Sequence, residues 1–250
     1  SLDGTHGNIG VALGDYELRQ IEGALNVPVG SLVAIRGAFS VTEREGYLSD
    51  GTDDEDRKAA RLRMLWKPSD AVSLLLNVDG AKEEGKGTGY VQLPRAGGSD
   101  PWRSASSPEA NAILAGTPPI GFLVAPIGTD SVRDNTFWNV SAELNWDFGP
   151  ATLTVLPAYR DAKLSERNYP AGLRNTIPEA TSEQTTLEVR LSNSTDALKW
   201  VAGLYYYDED QEAEQAIFQG FLQDQTGHYA PPGLGIETDE TLSRAIARQL

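Results

Sequence analysis

The sequence of 250 residues contains no cysteine, two histidines and one methionine. Without cysteine there is no disulfide scaffold, no thiol nucleophile and no cysteine-ligated zinc or iron–sulfur centre. His6 and His228 are too few for a histidine-rich metal site, and we predict no metal centre and no cofactor. Basic residues are outnumbered, with 21 Lys and Arg against 36 Asp and Glu, so the net charge is −15. Nucleic acid is therefore excluded as a partner, because neutralising phosphates requires a basic surface.

A long apolar run is also missing. The longest uncharged stretch, Ala110–Thr129, contains three prolines and three glycines, which would break a membrane-spanning helix. No basic segment followed by an apolar one opens the chain, so no signal peptide is predicted. Because the first residue is Ser1 and not methionine, we expect the chain to be a fragment. A transmembrane β-barrel stays possible, since its strands produce no hydropathy peak.

Apolar and polar residues alternate with a period of two through most of the chain, which predicts β-strands. Helical spacing occurs only in the short stretch Glu240–Leu250, where we expect no further strand. The pattern predicts an all-β chain of about nine strands. These strands are Asn8–Leu13, Leu18–Val27, Leu32–Ser40, Ala60–Lys67, Ala71–Asp79, Trp138–Asp147, Thr152–Leu164, Leu187–Ser192 and Leu198–Asp208.

Short and long connections alternate between these strands. The short ones are rich in Pro, Gly, Asn and Asp, which favour tight turns: Pro28–Ser31, Pro68–Asp70, Phe148–Pro150 and Asn193–Asp196. The long ones are polar: Val41–Ala59, Gly80–Asn135, Ser165–Ser182 and Glu209–Asp239. In an up-and-down antiparallel sheet this alternation places all tight turns at one end. Such asymmetry is typical of outer-membrane barrels, although a soluble β-sandwich can also gather its long loops at one end.

Large aromatic residues on the apolar faces of these strands recur at two heights. Trp66, Trp146 and Trp200 lie next to tight turns, and Tyr159 and Tyr206 lie six to seven residues beyond a turn. This spacing predicts the two aromatic girdles at the membrane interfaces of a barrel. The alternative interpretation is that these side chains belong to the core at the edge of a sandwich.

The opposite faces of the same strands carry charges of both signs. These residues are Arg36, Arg61, Arg63, Glu143, Glu188 and Arg190. They suit a polar barrel lumen, in which neighbouring strands pair charges. They suit a solvated sheet face equally well.

The strand and turn sequences resemble the barrel of TonB-dependent outer-membrane receptors over roughly residues 7–218. The resemblance rests on the whole pattern and not on one short motif. Its clearest segments are Gly14–Tyr16, Glu22–Gly30, Leu32–Phe39, Arg44–Tyr47, Asp50–Asp56, Leu65–Asp70, Trp146–Gly149, Leu153–Arg160, Glu188–Ser192 and Lys199–Tyr206.

The resemblance implies an antiparallel up-and-down transmembrane β-barrel in the outer membrane of a Gram-negative bacterium. Receptors of this family have about 22 strands and an N-terminal plug, and they engage the TonB–ExbB–ExbD complex to import iron-siderophores, cobalamin, haem or oligosaccharides. The implied function is therefore transport and not catalysis, with outer-membrane lipid, lipopolysaccharide and a small-molecule substrate as partners. Residues 1–250 would be the N-terminal part of the barrel domain, without plug or signal peptide.

Candidate ligand contacts are few in the sequence. Tyr90 and Trp102, two aromatic residues of the longest loop, are the best candidates for stacking on a substrate. The acidic run Asp50–Asp56 lacks the spacing of an EF-hand, and Gly85–Gly89 does not match a phosphate-binding loop. We interpret both as ordinary loop sequence, and His228 as a surface residue. The alternatives are a weak cation contact or divalent bridging to lipopolysaccharide phosphates at the acidic run, and a substrate contact at His228. No catalytic residue is predicted.

The alternative function is that of a soluble, secreted all-β domain that binds or cleaves carbohydrate. The two hypotheses differ in what covers the apolar face of the sheet. A barrel exposes that face to lipid, whereas a soluble domain covers it with a second sheet.

Overall fold

The computed structural model describes residues 1–90, 131–168, 173–196, 198–219 and 244–249. These residues form one antiparallel sheet in which each strand pairs with the next along the chain, from β1 to β10. The strands are β1 His6–Leu13, β2 Arg19–Val29, β3 Val33–Arg44, β4 Glu55–Ser69, β5 Val72–Gly85, β6 Val132–Asp147, β7 Thr152–Asn168, β8 Leu173–Ser194, β9 Lys199–Gln219 and β10 Arg244–Gln249. Among the described residues, no helix is long and apolar enough to cross a membrane.

The predicted all-β, up-and-down sheet is confirmed, but it has ten strands where the sequence predicted about nine. The additional strand is β10, which pairs with residues 211–216 of β9. It lies within Glu240–Leu250, where we expected no strand. Its apolar residues do not alternate, so the sequence gives no period-two signal. The backbone of β9 nevertheless offers it hydrogen-bond partners, and main-chain pairing does not depend on side-chain periodicity.

The long loop predicted at Ser165–Ser182 is wrong. Strand β7 continues to Asn168 and β8 begins at Leu173, with a bulge between Leu164 and Glu166. Strand β9 likewise continues to Gln219, well into the stretch Glu209–Asp239 predicted as a loop. Both extensions carry polar residues on both faces, which removes the alternation that marks a half-buried strand. The result is a group of long hairpins at the end of the sheet opposite the tight turns.

The strands are staggered along the sheet. A line of directly paired residues runs from Val33 through Leu74 and Leu144 to Leu204. Val33 is the first residue of β3, whereas Leu204 lies five residues after Lys199, the first residue of β9. The line therefore shifts by five residues over the six intervals between β3 and β9. At about 3.3 Å per residue and about 4.8 Å per interval, this shift corresponds to a tilt of about 30°. Tilted, staggered strands are required for closure into a barrel.

No second layer packs on this sheet within the described residues. Among the residues whose burial the structure describes, only three apolar side chains are buried, namely Ala34, Leu48 and Ala151. In contrast, Leu204 is 80% exposed and Val140 is 41% exposed. The described part of the chain therefore provides no second sheet of the kind that a soluble sandwich requires.

Asn26 holds the first residues of the chain against the sheet. It is 1% exposed, and its side-chain amide donates to the carbonyl oxygens of Ser1 and Gly4 at 2.9 and 3.0 Å. Its Oδ1 atom accepts a hydrogen bond from the Ser1 nitrogen at 3.0 Å. These three bonds fix residues 1–4 beside the start of β1, because His6 pairs directly with Asn26.

We expect Asn26→Ala to release residues 1–4. The loss of three partly buried hydrogen bonds lowers the local opening free energy by about 2 kcal/mol, which raises amide exchange there roughly 30-fold. Hydrogen-exchange mass spectrometry on the intact protein measures this effect, with Gln20→Ala on the same face of β2 as the control. Equal exchange at residues 1–4 in the two variants would contradict the role of Asn26.

Candidate functional site

The register of the sheet divides the strand residues into an apolar face and a polar face, because directly paired residues point to the same side. The five predicted girdle residues all fall on the apolar face: Trp66, Trp146, Trp200, Tyr159 and Tyr206. The six predicted lumen residues all fall on the polar face: Arg36, Arg61, Arg63, Glu143, Glu188 and Arg190. The contact of these faces with lipid or water stays a prediction.

Aromatic side chains form two levels on the apolar face. Trp66, Trp146 and Trp200 each lie within three residues of the strand end at a tight turn. The other level contains Tyr159 and Tyr206, and it also contains Trp138, whose ring centroid lies 5.1 Å from that of Tyr159. Trp138 was not predicted as a girdle residue, although its place eight residues before Trp146 in the same strand is visible in the sequence.

Strand β6 carries both levels and so measures the distance between them. Trp138 and Trp146 bracket Val140, Ala142 and Leu144 on the apolar face. Eight residues at about 3.3 Å span about 26 Å along the strand, and the tilt of about 30° reduces this to a height of about 23 Å. The apolar band of an outer-membrane barrel is about 25 Å tall.

Charged residues begin on the apolar face directly beyond the second aromatic level. Lys58 lies 3.2 Å from Asp56 and 3.5 Å from Glu84, and Lys82 contacts Asp134. The apolar band thus ends in a zone of paired charges at the end of the sheet opposite the tight turns.

A hydrogen-bonded network centred on Asp79 occupies the polar face. The Asp79 carboxylate accepts hydrogen bonds from Asn77 at 2.6 Å and from Asn139 at 3.3 Å. Arg61 lies 3.4 Å from the same carboxylate, and Arg63 donates to the Asn77 side-chain oxygen at 3.0 Å. The predicted lumen residues Arg61 and Arg63 both lie in β4. They are linked to each other through Asp79 and Asn77 of the neighbouring strand β5.

A groove of about 780 Å³ lies on the polar face beside this network. Three rows of the register form it across β3 to β7. The first row contains Ala38, Arg61, Asp79, Asn139 and Arg160; the second Ser40, Ala59, Ala81, Phe137 and Ala162; and the third contributes Arg57 and Glu83. We call it the arginine groove. It lies towards the end opposite the tight turns, since Ala81 is four residues from Gly85, the last residue of β5.

Sequence reasoning found only Arg61 of this groove. Phe137, Arg57 and Arg160 were missed because they meet only through the pairing of four strands, and β5 and β6 are separated by residues 86–131. The other predicted lumen residues lie apart from the groove, nearer the tight turns. There the Asn145 side chain donates to Glu143 at 2.8 Å, and Arg190 lies 3.1 Å from Glu188.

The acidic run Asp50–Asp56 uses its carboxylates within the chain. The Asp54 carboxylate accepts the backbone N–H groups of Lys86 and Gly87 at 2.8 Å each, and Asp53 accepts that of Gly89 at 3.2 Å. The same glycine-containing segment was considered above as a phosphate loop. In the described residues no group of three potential metal ligands is present. The run therefore ties the β3–β4 connection to the end of β5.

Of the two aromatic residues predicted to contact a ligand, the structure describes only Tyr90. Tyr90 is half-buried at the end of a described range. Trp102 lies outside the described residues, as does His228. The roles of Tyr90 and Trp102 stay predictions.

No family model matches the chain, and no curated protein matches it. Solved structures do match. The ferric yersiniabactin uptake receptor FyuA from Yersinia pestis has a TM-score of 0.69 and 12% identity, over 86% of this chain and 32% of that receptor. The ferripyoverdine receptor of the outer membrane of Pseudomonas aeruginosa has a TM-score of 0.56 and 12% identity, over 86% of this chain and 29% of that receptor.

The chain thus spans about a third of the length of the receptors that it matches. The first of these proteins is an uptake receptor and the second is a ferripyoverdine receptor of the outer membrane. Neither is described as an enzyme, which agrees with the expectation for this chain. At 12% identity the likeness is one of fold. The resemblance to the barrel of TonB-dependent receptors is confirmed at that level, and the chain has the fold of part of the β-barrel of TonB-dependent outer-membrane receptors.

Proposed function

We propose that the chain forms part of the barrel wall of an outer-membrane receptor that imports a scarce ligand with energy supplied through TonB. The observation that carries this proposal is the apolar face of β6, bracketed by Trp138 and Trp146 at a height of about 23 Å. A sheet face of this kind is stable when lipid covers it. The opposite face is polar and suits a water-filled or plugged lumen.

In this proposal residues 1–250 are the N-terminal part of the barrel domain, and further strands close it. Two observations support this assignment. The described sheet has strands β1 and β10 at its two edges, and unpaired edges are not stable in a bilayer. The matched receptors are also about three times as long as the aligned region. The plug and the segment that contacts TonB–ExbB–ExbD would come from the rest of the protein.

The substrate is a ligand too large or too dilute for porins, of the iron-siderophore, cobalamin or oligosaccharide class. The matched receptors of known ligand support iron chelates most directly, since one takes up ferric yersiniabactin and another binds ferripyoverdine. Tyr90 and Trp102 are the proposed aromatic contacts to this substrate. Outer-membrane lipid and lipopolysaccharide would surround the apolar face.

Uptake of radiolabelled iron tests this function. The intact protein is expressed in an iron-limited Gram-negative strain that lacks its own siderophore receptors, and a panel of ferric chelates is supplied. We expect uptake of at least one chelate, and loss of that uptake when tonB is deleted. Uptake that is unchanged without tonB, or the recovery of the protein in the soluble fraction, would contradict the proposal.

A further inference from the structure

Three segments that are far apart in the sequence meet at the end of the sheet opposite the tight turns. They are residues 14–18 of the β1–β2 turn, residues 45–54 of the β3–β4 connection, and the glycine-rich residues 85–89 at the end of β5. We call residues 45–54 the strap, because they contact both of the other segments. The glycine-rich segment does not match a phosphate-binding loop, and its place beside the strap suggests a different role.

One end of the strap is bonded to the backbone of the glycine-rich segment. The Asp54 carboxylate accepts the N–H groups of Lys86 and Gly87, and the Asp53 carboxylate accepts that of Gly89. In the opposite direction, the Asp53 N–H donates to the Gly87 carbonyl oxygen at 2.7 Å. Carboxylates form stronger hydrogen bonds with backbone N–H groups than neutral acceptors do, so two acidic side chains carry most of this attachment.

Two glycines of the segment are required for this attachment. Gly87 has a φ of +69°, a left-handed conformation that other residues rarely adopt. A Cβ atom on Gly89 would lie closer than 3.0 Å to the side chains of Leu48 and Thr52, both of which are buried. The glycines thus allow the backbone to lie directly against the strap.

The other end of the strap is bonded to the β1–β2 turn. The Glu45 N–H donates to the Tyr16 carbonyl oxygen at 2.8 Å, and the ring centroids of Tyr16 and Tyr47 lie 4.7 Å apart in an edge-to-face contact. Arg44 connects the two ends of the strap. Its guanidinium carbon lies 3.8 Å from the Tyr47 ring centroid, and its Nη2 atom donates to the Asp53 carbonyl oxygen at 2.8 Å. A continuous path of contacts therefore runs from Tyr16 to the residues that hold the glycine-rich segment.

Backbone strain is concentrated in the same segments. In the described part of the chain, the non-glycine residues with a positive φ are Tyr16, Glu17 and Asp53, at 57°, 55° and 60°. A left-handed tyrosine or glutamate is uncommon and persists only where its surroundings fix it. Two of these residues lie in the β1–β2 turn and the third lies in the strap, so the contacts between the two segments supply this fixation.

We propose that the β1–β2 turn, the strap and the glycine-rich segment form one cooperative latch, which opens and closes as a whole at this end of the sheet. Folded proteins open locally in contiguous cooperative units, and the path through Arg44 joins these three segments into one. A ligand or partner that displaced the start of the long connection after β5 would therefore also displace the turn between β1 and β2. This inference goes beyond the proposed transport function and does not depend on it.

Hydrogen-exchange mass spectrometry on the intact protein tests the latch. We expect Asp54→Asn to raise amide exchange at least about tenfold in residues 86–90, because hydrogen bonds to a charged group are lost. Exchange in residues 14–18 and 45–53 should rise by a similar factor, since the unit opens as a whole. Glu55→Gln is the matched control, because it removes the same charge from the next residue, whose side chain has no hydrogen bond or ion pair within the described ranges. That control should change exchange less than twofold.

Tyr16→Ala tests the latch from its other end. Tyr16 contacts the strap through Glu45 and Tyr47, so an effect on the glycine-rich segment reaches it through the strap. The loss of the aromatic contact should raise exchange about fivefold in residues 86–90 as well as in residues 14–18.

Three results would overturn the inference. Acceleration confined to residues 86–90 in Asp54→Asn, or to residues 14–18 in Tyr16→Ala, would show that the segments open independently. Equal effects of Asp54→Asn and Glu55→Gln would show that the loss of charge alone is responsible. Residues 60–66 of β4 are the reference for the folded sheet, and equally faster exchange there would contradict a unit limited to this end of the sheet.

Discussion

If the proposed lipid-facing role of this sheet is right, replacing Ala142 by arginine in the intact protein prevents its stable assembly in the outer membrane. Ala142 lies on the apolar face of β6, four residues from Trp138 and four from Trp146, and thus at the middle of the apolar band. An arginine at the midplane of a barrel's lipid face costs about 2–4 kcal/mol. A folded barrel migrates differently on a gel before and after heating. We expect the Ala142→Arg protein to lack this difference, because it does not fold into a barrel, and to be degraded in the cell.

Ser141→Arg is the matched control for this experiment. Ser141 is the adjacent residue of the same strand but lies on the polar face, where it pairs with Asn77 and Ala158. The same side chain is therefore added at the same height, with only its direction reversed. We expect this variant to assemble normally, and equal assembly of the two variants would contradict the assignment of the faces.

Replacing Gly46 by alanine disorders the β3–β4 connection. A Cβ atom at Gly46 would lie far closer than 3.0 Å to the backbone carbonyl oxygens of Gly51 and Thr52. Those atoms belong to a tightly bonded turn in which Gly51 donates to the Leu48 carbonyl at 2.8 Å. Thr52 is 2% exposed and Leu48 is 7% exposed, so the turn has no room to move aside.

We expect Gly46→Ala to lower the local opening free energy by about 2–3 kcal/mol and to raise amide exchange in residues 46–54 roughly 50-fold. Gly37→Ala is the control, because a Cβ atom there meets no atom within 4 Å. Gly37→Ala reduces the conformational freedom of the unfolded chain, so the free energy of unfolding should stay unchanged or increase slightly. Equal exchange in the two variants, measured by mass spectrometry, would show that the connection is not held by this backbone contact.

The sequence predicted the two faces of the sheet because their information is local. A period of two assigns each strand residue to a face, and Pro, Gly and Asn mark the tight turns within a few residues. The positions of Trp66, Trp146 and Trp200 beside those turns followed directly. Only Trp138 was overlooked, although its distance from Trp146 in the same strand was available.

The rest depended on interactions that the sequence does not express locally. Residues 165–168 and 173–182 form strands without hydrophobic alternation, because both faces of that hairpin are polar and main-chain pairing alone supports them. The arginine groove required the register of four strands before Arg160 and Phe137 could be placed near Arg61. The face on which a residue lies can thus be predicted from one strand, whereas a site on the sheet can be predicted only from the register of several strands.

We expect the apolar face of this sheet to contact lipid and the polar face to contact water. Residues 1–250 contain no cysteine. A single cysteine placed at each position from 138 to 146 of the intact protein is therefore the only thiol in this part of the chain, and it can carry a spin label in a bilayer. Oxygen concentrates in the lipid, whereas a nickel chelate stays in water. We expect oxygen accessibility to be high at the even positions and nickel accessibility to be high at the odd ones. Accessibility without this alternation, or nickel contact at position 142, would contradict the account.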